Sequence, residues 1–385
     1  MNPKAEFDII VYGATGFTGR LVAEYLAAKY GVGGSVKWAM AGRSAAKLAQ
    51  VRDLIGAPAD TALIVADASD PASLKAMVAR GKAILTTVGP YQLYGSDLVA
   101  ACAAAGTDYL DLSGEPNWMA EMIEAHEAAA KASGARILFS CGFDSIPFEL
   151  GVFYTQALAN KRLGHPVSRI KGRVRSMRGG LSGGTAASGA ATMAAILKNP
   201  ALGMLMFNPF ALTPGFTGPA QPTGMDTHVD PDLGQEVGPF MMATINTKNV
   251  HRSNLLQGHP WGTDFVYDEM SVVVPGADAS FTSLGGAGAP KPGEGPSKEE
   301  REAGFYDLLF IGIDGEGRQV RGSVYGDKDP GYGSTSKLIA ETAICLVKDR
   351  PDVAGGVWVP GAALGQALVD RLHANAGLTF KDETA

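Results

Sequence analysis

Residues 7–19 read FDIIVYGATGFTG, an apolar run followed directly by three glycines spaced G-x-x-G-x-x-G. The apolar run has the character of a buried strand, and residues 17–30 repeat apolar side chains at helical spacing. Glycine accounts for 50 of the 385 residues, so the glycine spacing alone is weak evidence. Its position between a strand and a helix is informative, because such a turn aims free backbone N–H groups and the positive helix end at a phosphate. We therefore predict that a dinucleotide phosphate binds this turn.

The residues of this turn have separate predicted roles. Gly13 permits the tight bend, Gly16 lets the backbone approach a diphosphate, and Gly19 lets the helix pack closely on the strand. The alternative is a tight turn that binds nothing. The full set of predicted contacts is Gly13, Thr15, Gly16, Phe17, Thr18 and Gly19.

The first 148 residues alternate between strand-like and helix-like segments. Strands are predicted at 7–12, 36–41, 62–66, 83–88, 108–112 and 136–140. Helices are predicted at 17–30, 45–55, 71–79, 98–105 and 116–133. Strands that alternate with helices of this length form right-handed crossovers and a parallel sheet. The fold class is therefore α/β, with a Rossmann-type doubly wound parallel sheet.

After residue 148 the pattern changes to that of an inserted α+β domain, predicted to span 149–332. Residues 169–177 alternate basic and apolar side chains and are predicted to form an exposed sheet face. Residues 202–233 receive no assignment, and 285–296 are predicted to be a mobile surface loop. Helices predicted at 337–347 and 364–374 return the chain to the first domain, which then comprises 1–148 and 333–385.

The composition excludes several classes of protein. Hydrophobic residues make up 46% of the chain, and the net charge is −6, with no basic block of the kind that binds nucleic acid. Neither the three cysteines nor the six histidines have metal-ligand spacing, so we predict no metal site and no disulfide framework. With no signal peptide and no long apolar span in the sequence, the simplest interpretation is a cytoplasmic protein.

The end of the second predicted strand indicates which dinucleotide binds. An NAD site commonly carries an acidic residue here, which contacts the ribose hydroxyls. This chain instead has Arg43 and Ser44, with Lys47 one helical turn further on. Arg43 can pair with a 2′-phosphate that an acidic residue would repel, and this favours NADP(H). Asp67, at the end of the third strand, is placed either to meet the adenine or to cap the next helix.

The ends of the fourth and sixth strands supply candidates for nicotinamide contacts and for catalysis. Val88, Gly89 and Pro90 are predicted to lie beside the nicotinamide ribose. Tyr91 follows, and it either contacts the cofactor and donates a proton or packs as a core aromatic. Asp144 is the second candidate proton donor, with capping of the following helix as its alternative role.

Five sequence blocks together resemble the saccharopine dehydrogenase-like oxidoreductase family, and within it the branch that contains trans-acting enoyl reductases and the animal saccharopine dehydrogenase-like protein. The blocks are YGATGFTG at 12–19, AGR at 41–43, VGPY at 88–91, YLDLSGE at 109–115 and CGFDSIP at 141–147. The resemblance returns at 326–346, which includes DPGYG at 329–333, and at 356–372, whereas the middle block matches loosely at SGGT (182–185). It implies a Rossmann domain, an inserted α+β domain and a C-terminal return.

The resemblance also implies hydride transfer from NADPH to a C=C bond of an acyl, polyketide or lipid intermediate. This substrate is either a small molecule or an acyl chain bound to a carrier. Saccharopine or another imine is an alternative substrate, although the sequence shows no paired-arginine clamp for a dicarboxylic amino acid. A non-catalytic NADP(H)-binding protein with a lipid-associated or regulatory role is a further alternative. Residues 202–216 either line an acyl pocket, touch a membrane surface as a peripheral contact, or pack on their own domain. A homodimer is left open.

Overall fold

The computed structural model describes residues 5–180, 182–273, 291 and 293–385, which form two sheets with helices packed on them. The strands, in chain order, are β1 (Phe7–Tyr12), β2 (Trp38–Gly42), β3 (Ala62–Val65), β4 (Gly81–Thr86), β5 (Asp108–Leu110), β6 (Arg136–Leu138), β7 (Arg169–Arg178), β8 (His228–Asp230), β9 (Gln235–Pro239), β10 (Val266–Val272), β11 (Phe305–Ile313), β12 (Gln319–Gly326), β13 (Gly356–Trp358) and β14 (Leu378–Asp382). The helices are α1 (Phe17–Tyr30), α2 (Ala45–Leu54), α3 (Pro71–Val78), α4 (Tyr91–Tyr94), α5 (Ser96–Ala105), α6 (Pro116–Ser133), α7 (Ile146–Leu163), α8 (Gly183–Lys198), α9 (Ala201–Phe207), α10 (Ala243–Leu256), α11 (Lys298–Ala303), α12 (Thr335–Ile344) and α13 (Pro360–Asn375), with π-helical turns at Pro330–Ser334 and Cys345–Asp349 on either side of α12.

The first sheet is parallel and has the strand order β13-β6-β5-β4-β1-β2-β3 in the described residues. Strand β1, which lies next to the central strand β4, is fully apolar from Ile9 to Val11 because helices cover both faces of the sheet. The strand order reverses at β1, with β4 on one side and β2 on the other. At such a reversal the crossover helices lie on opposite faces and leave a crevice beyond the carboxyl ends of the strands. The predicted Rossmann-type fold is confirmed, and each element predicted in residues 1–148 has bounds within two residues of the observed ones, but the short helix α4 (Tyr91–Tyr94) has no predicted counterpart.

The last two strands of the chain belong to different sheets. Strand β13 pairs with β6 and completes the first sheet, as expected for a C-terminal return. Strand β14 instead pairs with β12 in the second sheet. The prediction that 333–385 belongs entirely to the first domain is therefore wrong for Leu378–Asp382, because these residues form their backbone hydrogen bonds with the edge of the other sheet.

The second sheet is mixed, with the order β14-β12-β11-β7-β10-β9-β8 among the described strands. The prediction that β7 presents an exposed basic face is wrong, because Lys171 and Arg173 are only 6% and 2% exposed. Their charges are compensated by carboxylates. Asp230 lies 3.1 Å from Lys171 Nζ and 2.8 Å from an Arg173 guanidinium nitrogen, and Asp268 also pairs with Arg173 at 2.8 Å. Buried charges of this kind are tolerated only when paired.

The segments that the sequence assigned least well lie in this second half of the chain. Residues 202–233, left without assignment, contain most of α9 and the strand β8. The predicted mobile loop at 285–296 falls largely outside the described residues, with only 291 and 293–296 inside them. Among the helices that the structure describes, none is both long enough and apolar enough to cross a membrane.

A buried ion pair joins β5 to β6 and predicts a large effect on stability. Arg136 and Asp108 are 1% and 0% exposed, and Arg136 Nε donates to an Asp108 oxygen at 2.9 Å. Asp108→Ala should lower the free energy of unfolding by about 3–5 kcal/mol, because it leaves a guanidinium buried without its carboxylate. Glu6→Ala, which breaks the exposed pair with Arg80, is the control and should cost less than ~1 kcal/mol. Urea titrations of both variants test this; equal losses would contradict it.

Candidate functional site

The turn between β1 and α1 places its glycines in different environments. Gly13 has φ +92°, and a Cβ there would lie 2.8 Å from Thr87 Oγ1. A Cβ at Gly19 would lie 2.2 Å from the carbonyl oxygen of Gly13, so only glycine lets α1 pack this closely on the turn. A Cβ at Gly16 would meet only that same oxygen, at 3.3 Å. Gly13 and Gly19 are therefore required by the fold, whereas a Cβ at Gly16 would make one close contact among the described residues.

Helix α1 begins as a good anion site. Its N-cap, Gly16, has no side chain with which to cap, and its first turn contains no acidic residue. The first amides of a helix have no acceptor within the helix. Thr15 and Gly16 are exposed, and Thr18 is half-buried. These amides and the positive end of the helix dipole are thus accessible to a phosphate.

Phe17 differs from the other predicted contacts in this turn. Its side chain is buried and meets Tyr332 edge-on, with ring centroids 5.2 Å apart. The ring is therefore used in packing against the turn that precedes α12. Only its main-chain amide remains available to a ligand.

The end of β2 carries an unpaired cation. Arg43 is exposed and makes no hydrogen bond or ion pair within the described residues. The Ser44 side chain caps α2 by accepting from the Lys47 amide at 3.3 Å, which leaves its hydroxyl proton free to donate. Arg43 is therefore accessible to a phosphate, as the 2′-phosphate prediction requires.

Asp67 does not cap the next helix. Its carboxylate accepts from the amide and the hydroxyl of Ser69, at 2.9 and 2.8 Å, and these bonds, with a smaller contribution from the charge of Arg43, lower its pKa. The cap of α3 is Asp70, which accepts from the Ala72 amide. The capping alternative for Asp67 is therefore wrong, and contact with the adenine stays a prediction.

The loop after β4 lies between the first sheet and α8. It contains the cis peptide Gly89–Pro90, with Val88 half-buried, Gly89 exposed and Pro90 buried. A Cβ at Gly89 would lie 3.7 Å from Ser188 Oγ, so α8 passes directly beside this loop. Contact of these three residues with a nicotinamide ribose stays a prediction.

Tyr91 has a structural role, in contrast to the expectation that it contacts the cofactor and donates a proton. The side chain is buried and stacks on Trp118, with centroids 5.7 Å apart. Its hydroxyl donates to the carbonyl of Thr86 at 3.2 Å and accepts from the amide of Leu112 at 3.1 Å. Burial raises the pKa of Tyr91 well above its usual value. Both hydrogen-bonding positions of the hydroxyl are used inside the protein, so the packing alternative describes this residue.

Asp144 remains the better candidate for proton transfer. Its half-buried carboxylate has no hydrogen-bond or ion-pair partner among the described residues. Burial raises the pKa of Asp144 to about 6. It does not cap α7, whose N-cap is Ser145, and the Ser145 hydroxyl bonds to the Asp144 carbonyl and to Asn249 instead. An open carboxyl group that titrates near neutral pH can act as a general acid.

Tyr332 is a site residue to which the sequence analysis gave no role. Its hydroxyl accepts from the Ser182 amide at 2.5 Å and lies 2.7 Å from Thr185 Oγ1, at the start of α8. Burial, and to a smaller extent the nearby Asp144 carboxylate, raises the pKa of Tyr332. The block DPGYG at 329–333 was the signal that could have found it. Tyr332 thus connects the turn at residues 13–19, called the phosphate turn below, through Phe17 to helix α8 beside Gly89.

A phosphorylated nicotinamide dinucleotide fits the crevice beyond the carboxyl ends of β1, β2 and β4. Gly16 leaves an approach to the start of α1, and Arg43, at the end of β2, is a cation without an ion pair in the described part of the chain. Thr15, Thr18 and Ser44 would add hydroxyl contacts. When bound, such a cofactor supplies hydride chemistry, while the surrounding residues position it.

Comparisons with known proteins agree with this geometry. Residues 9–138, from β1 to β6, match the family model of the saccharopine dehydrogenase NADP binding domain. The trans-acting enoyl reductases of Mycobacterium tuberculosis and Mycobacterium leprae are 38% and 37% identical to this chain over 421 residues, and each alignment covers 97% of both proteins. The fold also matches apo saccharopine dehydrogenase (L-Glu forming) from Saccharomyces cerevisiae, with a TM-score of 0.58, 11% identity, and coverage of 98% of this chain and 100% of that one. The chain is therefore a member of the saccharopine dehydrogenase-like family and an NADP-dependent oxidoreductase.

Proposed function

We propose that the protein is an enoyl reductase that reduces the C=C bond of an α,β-unsaturated acyl thioester with NADPH. The observation that carries this proposal is the full-length similarity, at 37–38% identity, to proteins named trans-acting enoyl reductases. The similarity includes the second sheet and the chain around Tyr332. It therefore supports a shared substrate class as well as a shared cofactor.

The reaction needs a hydride at the β-carbon and a proton at the α-carbon. NADPH, when bound, would supply the hydride. In this proposal, the carboxyl group of Asp144 supplies the proton and is reprotonated from solvent. Its raised pKa, near 6, keeps a usable fraction in the acid form at neutral pH.

The surface beside the site supports an apolar substrate. Residues 182–225 contain one charged residue, Lys198. Within this segment, helices α8 and α9 leave Met193, Leu197, Met204 and Phe207 between 59% and 78% exposed. Exposed apolar surface of this kind marks contact with an apolar ligand or partner. The proposed substrate therefore has an acyl chain and is attached to a carrier.

The test is NADPH oxidation with a panel of enoyl thioesters, on coenzyme A and on a carrier protein, beside saccharopine and simple imines. Turnover with enoyl thioesters and none with imines is expected. Tight NADPH binding without turnover on any substrate would instead support a non-catalytic, cofactor-binding protein. Turnover with saccharopine would overturn the assignment to C=C reduction.

Asp144→Asn should lower kcat by about 100- to 1,000-fold, because general acid catalysis contributes about that much. The acid form of Asp144 is lost as the pH rises through its pKa of about 6, so wild-type kcat should fall on the alkaline side and the variant should lack this limb. The Kd of NADPH should stay unchanged. Tyr91→Phe should keep its kcat, since that hydroxyl faces the interior. If Tyr91→Phe lowers kcat and Asp144→Asn does not, the proton donor is Tyr91 and not Asp144.

A further inference from the structure

We propose that Arg20 and Arg301 together bind the diphosphate of NADP(H), with Arg301 supplied by the half of the chain that carries the second sheet. The proposal rests on the cofactor class and not on the acyl substrate. Its test therefore remains valid if no enoyl thioester is reduced.

Both arginines lie over the same aromatic ring at the start of α1. The guanidinium carbon of Arg20 is 5.6 Å from the centroid of Phe17, and that of Arg301 is 5.7 Å away. Phe17 is the first residue of α1, directly after Gly16. Arg20 lies one turn further along this helix, and side chains on a helix point back towards its N-terminus. The two cations therefore flank the helix end that the phosphate turn exposes.

Neither guanidinium is neutralised by a carboxylate in the part of the chain that the structure describes. Arg20 makes only its contact with Phe17, and Arg301 Nη1 donates to the carbonyl of Pro296 at 2.7 Å. The charge of Arg301 acts on Glu299 and Asp329 without an ion pair to either among the described residues, and the Asp329 carboxylate accepts hydrogen bonds from the amides of Tyr332 and Gly333. Both arginine side chains are half-buried, so they retain access to a ligand.

This arrangement places two cations beside one ring, and among the described residues no carboxylate forms an ion pair with either of them. Two like charges around one ring repel each other, and the positive end of α1 adds to the same field. A cation–π contact with Phe17 is worth only about 0.5–1 kcal/mol at a partly exposed site. A diphosphate carries two negative charges and accepts the forked hydrogen bonds that guanidinium groups donate. It is the anion that the cofactor would bring to the start of α1.

The position of Arg301 connects cofactor binding to the second half of the chain. Gly295, just before α11, packs on the Phe17 ring so closely that a Cβ would lie 2.6 Å from it. The carbonyl of Glu294 accepts from the amide of Gly183, the first residue of α8. A diphosphate bound by Arg301 would therefore hold residues 293–301 in place between the phosphate turn and helix α8, which lies beside Gly89.

The test compares Arg301→Met and Arg20→Met with wild type by calorimetric titration with NADPH, NADH and 2′-AMP. Each variant should weaken NADPH and NADH by the same factor, about 10-fold, because both dinucleotides carry the diphosphate. Binding of 2′-AMP, which lacks the diphosphate, should not change. The matched control is Lys298→Met, which removes a mostly exposed charge from the same helix and should leave all three Kd values unchanged.

Three outcomes would overturn the proposal. Unchanged Kd values for NADPH and NADH in folded Arg301→Met would limit the arginine to packing on Phe17. A loss confined to NADPH and 2′-AMP would assign it to the 2′-phosphate. Equal losses of NADPH and NADH affinity in Lys298→Met would show that the effect comes only from the change in net charge. If Arg301→Met does not fold, Arg301→Lys and Arg20→Met carry the same test, with an intermediate loss expected for the lysine.

Discussion

Gly16→Val should raise the Kd of NADPH by more than ~100-fold while the protein keeps its fold. Gly16 has φ −79° and ψ 170°, an extended conformation that valine adopts without strain. Among the described residues, such a Cβ would approach only the Gly13 carbonyl oxygen, at 3.3 Å, a close contact that a shift of a few tenths of an ångström relieves. The branched side chain would fill the open space in front of α1 and block the amides, each of which can give a charge-assisted bond worth about 1.5–3 kcal/mol. Calorimetric titration measures the loss.

The control for Gly16→Val is Gly19→Ala. Its added Cβ would lie 2.2 Å from the Gly13 carbonyl, so α1 must shift, at a cost of about 1–3 kcal/mol in the free energy of unfolding. Gly16→Val should cost about 1 kcal/mol or less, because valine is only a poorer N-cap. Thermal unfolding separates the two. Undiminished NADPH binding in folded Gly16→Val would show that the phosphate lies elsewhere.

Arg43→Asp should weaken NADPH binding by about 100-fold and NADH binding by less than ~3-fold. A guanidinium bonded to a phosphate contributes about 1.5–3 kcal/mol, and the aspartate adds repulsion of the same charge sign. NADH has no 2′-phosphate and loses little. The ratio of the two Kd values is the quantity to measure.

The ratio also distinguishes Arg43 from the arginines at the phosphate turn. Arg301→Met should change both Kd values together, whereas Arg43→Asp should change only one of them. Lys161→Asp, at an exposed position near the end of α7, makes the same change in net charge and serves as the control. Equal losses of NADPH and NADH in Arg43→Asp would contradict a contact with the 2′-phosphate.

Much of the first sheet could be predicted because its signals are local. The strand before Gly13, the helix after Gly16 and the alternation to residue 140 each depend on neighbours within a few positions. The second sheet was harder to predict. Lys171 and Arg173 have the alternating pattern of an exposed strand, yet Asp230 from β8 neutralises them inside the fold. A sequence pattern cannot show whether a distant carboxylate will cover a cation.

The same limit explains the errors at the candidate site. Tyr91 follows a strand end where cofactors bind, so its position predicted a chemical role. Its hydroxyl is instead used by Thr86 and Leu112, and its ring by Trp118. For Asp144 the alternatives were proton donation and capping of α7, and the structure gives the N-cap position to Ser145.

Amino-acid order was sufficient to predict the glycine turn at residues 13–19 and the exposed cation at Arg43, because backbone freedom at glycine and charge at a strand end are properties of single positions. The junction of Phe17 with Tyr332, Arg301 and the start of α8 required the folded chain. Its members come from four distant segments, and each gains its role only from the groups packed against it. Burial and charge compensation are properties of that packing, so the tertiary structure alone determined which polar groups remained free to act.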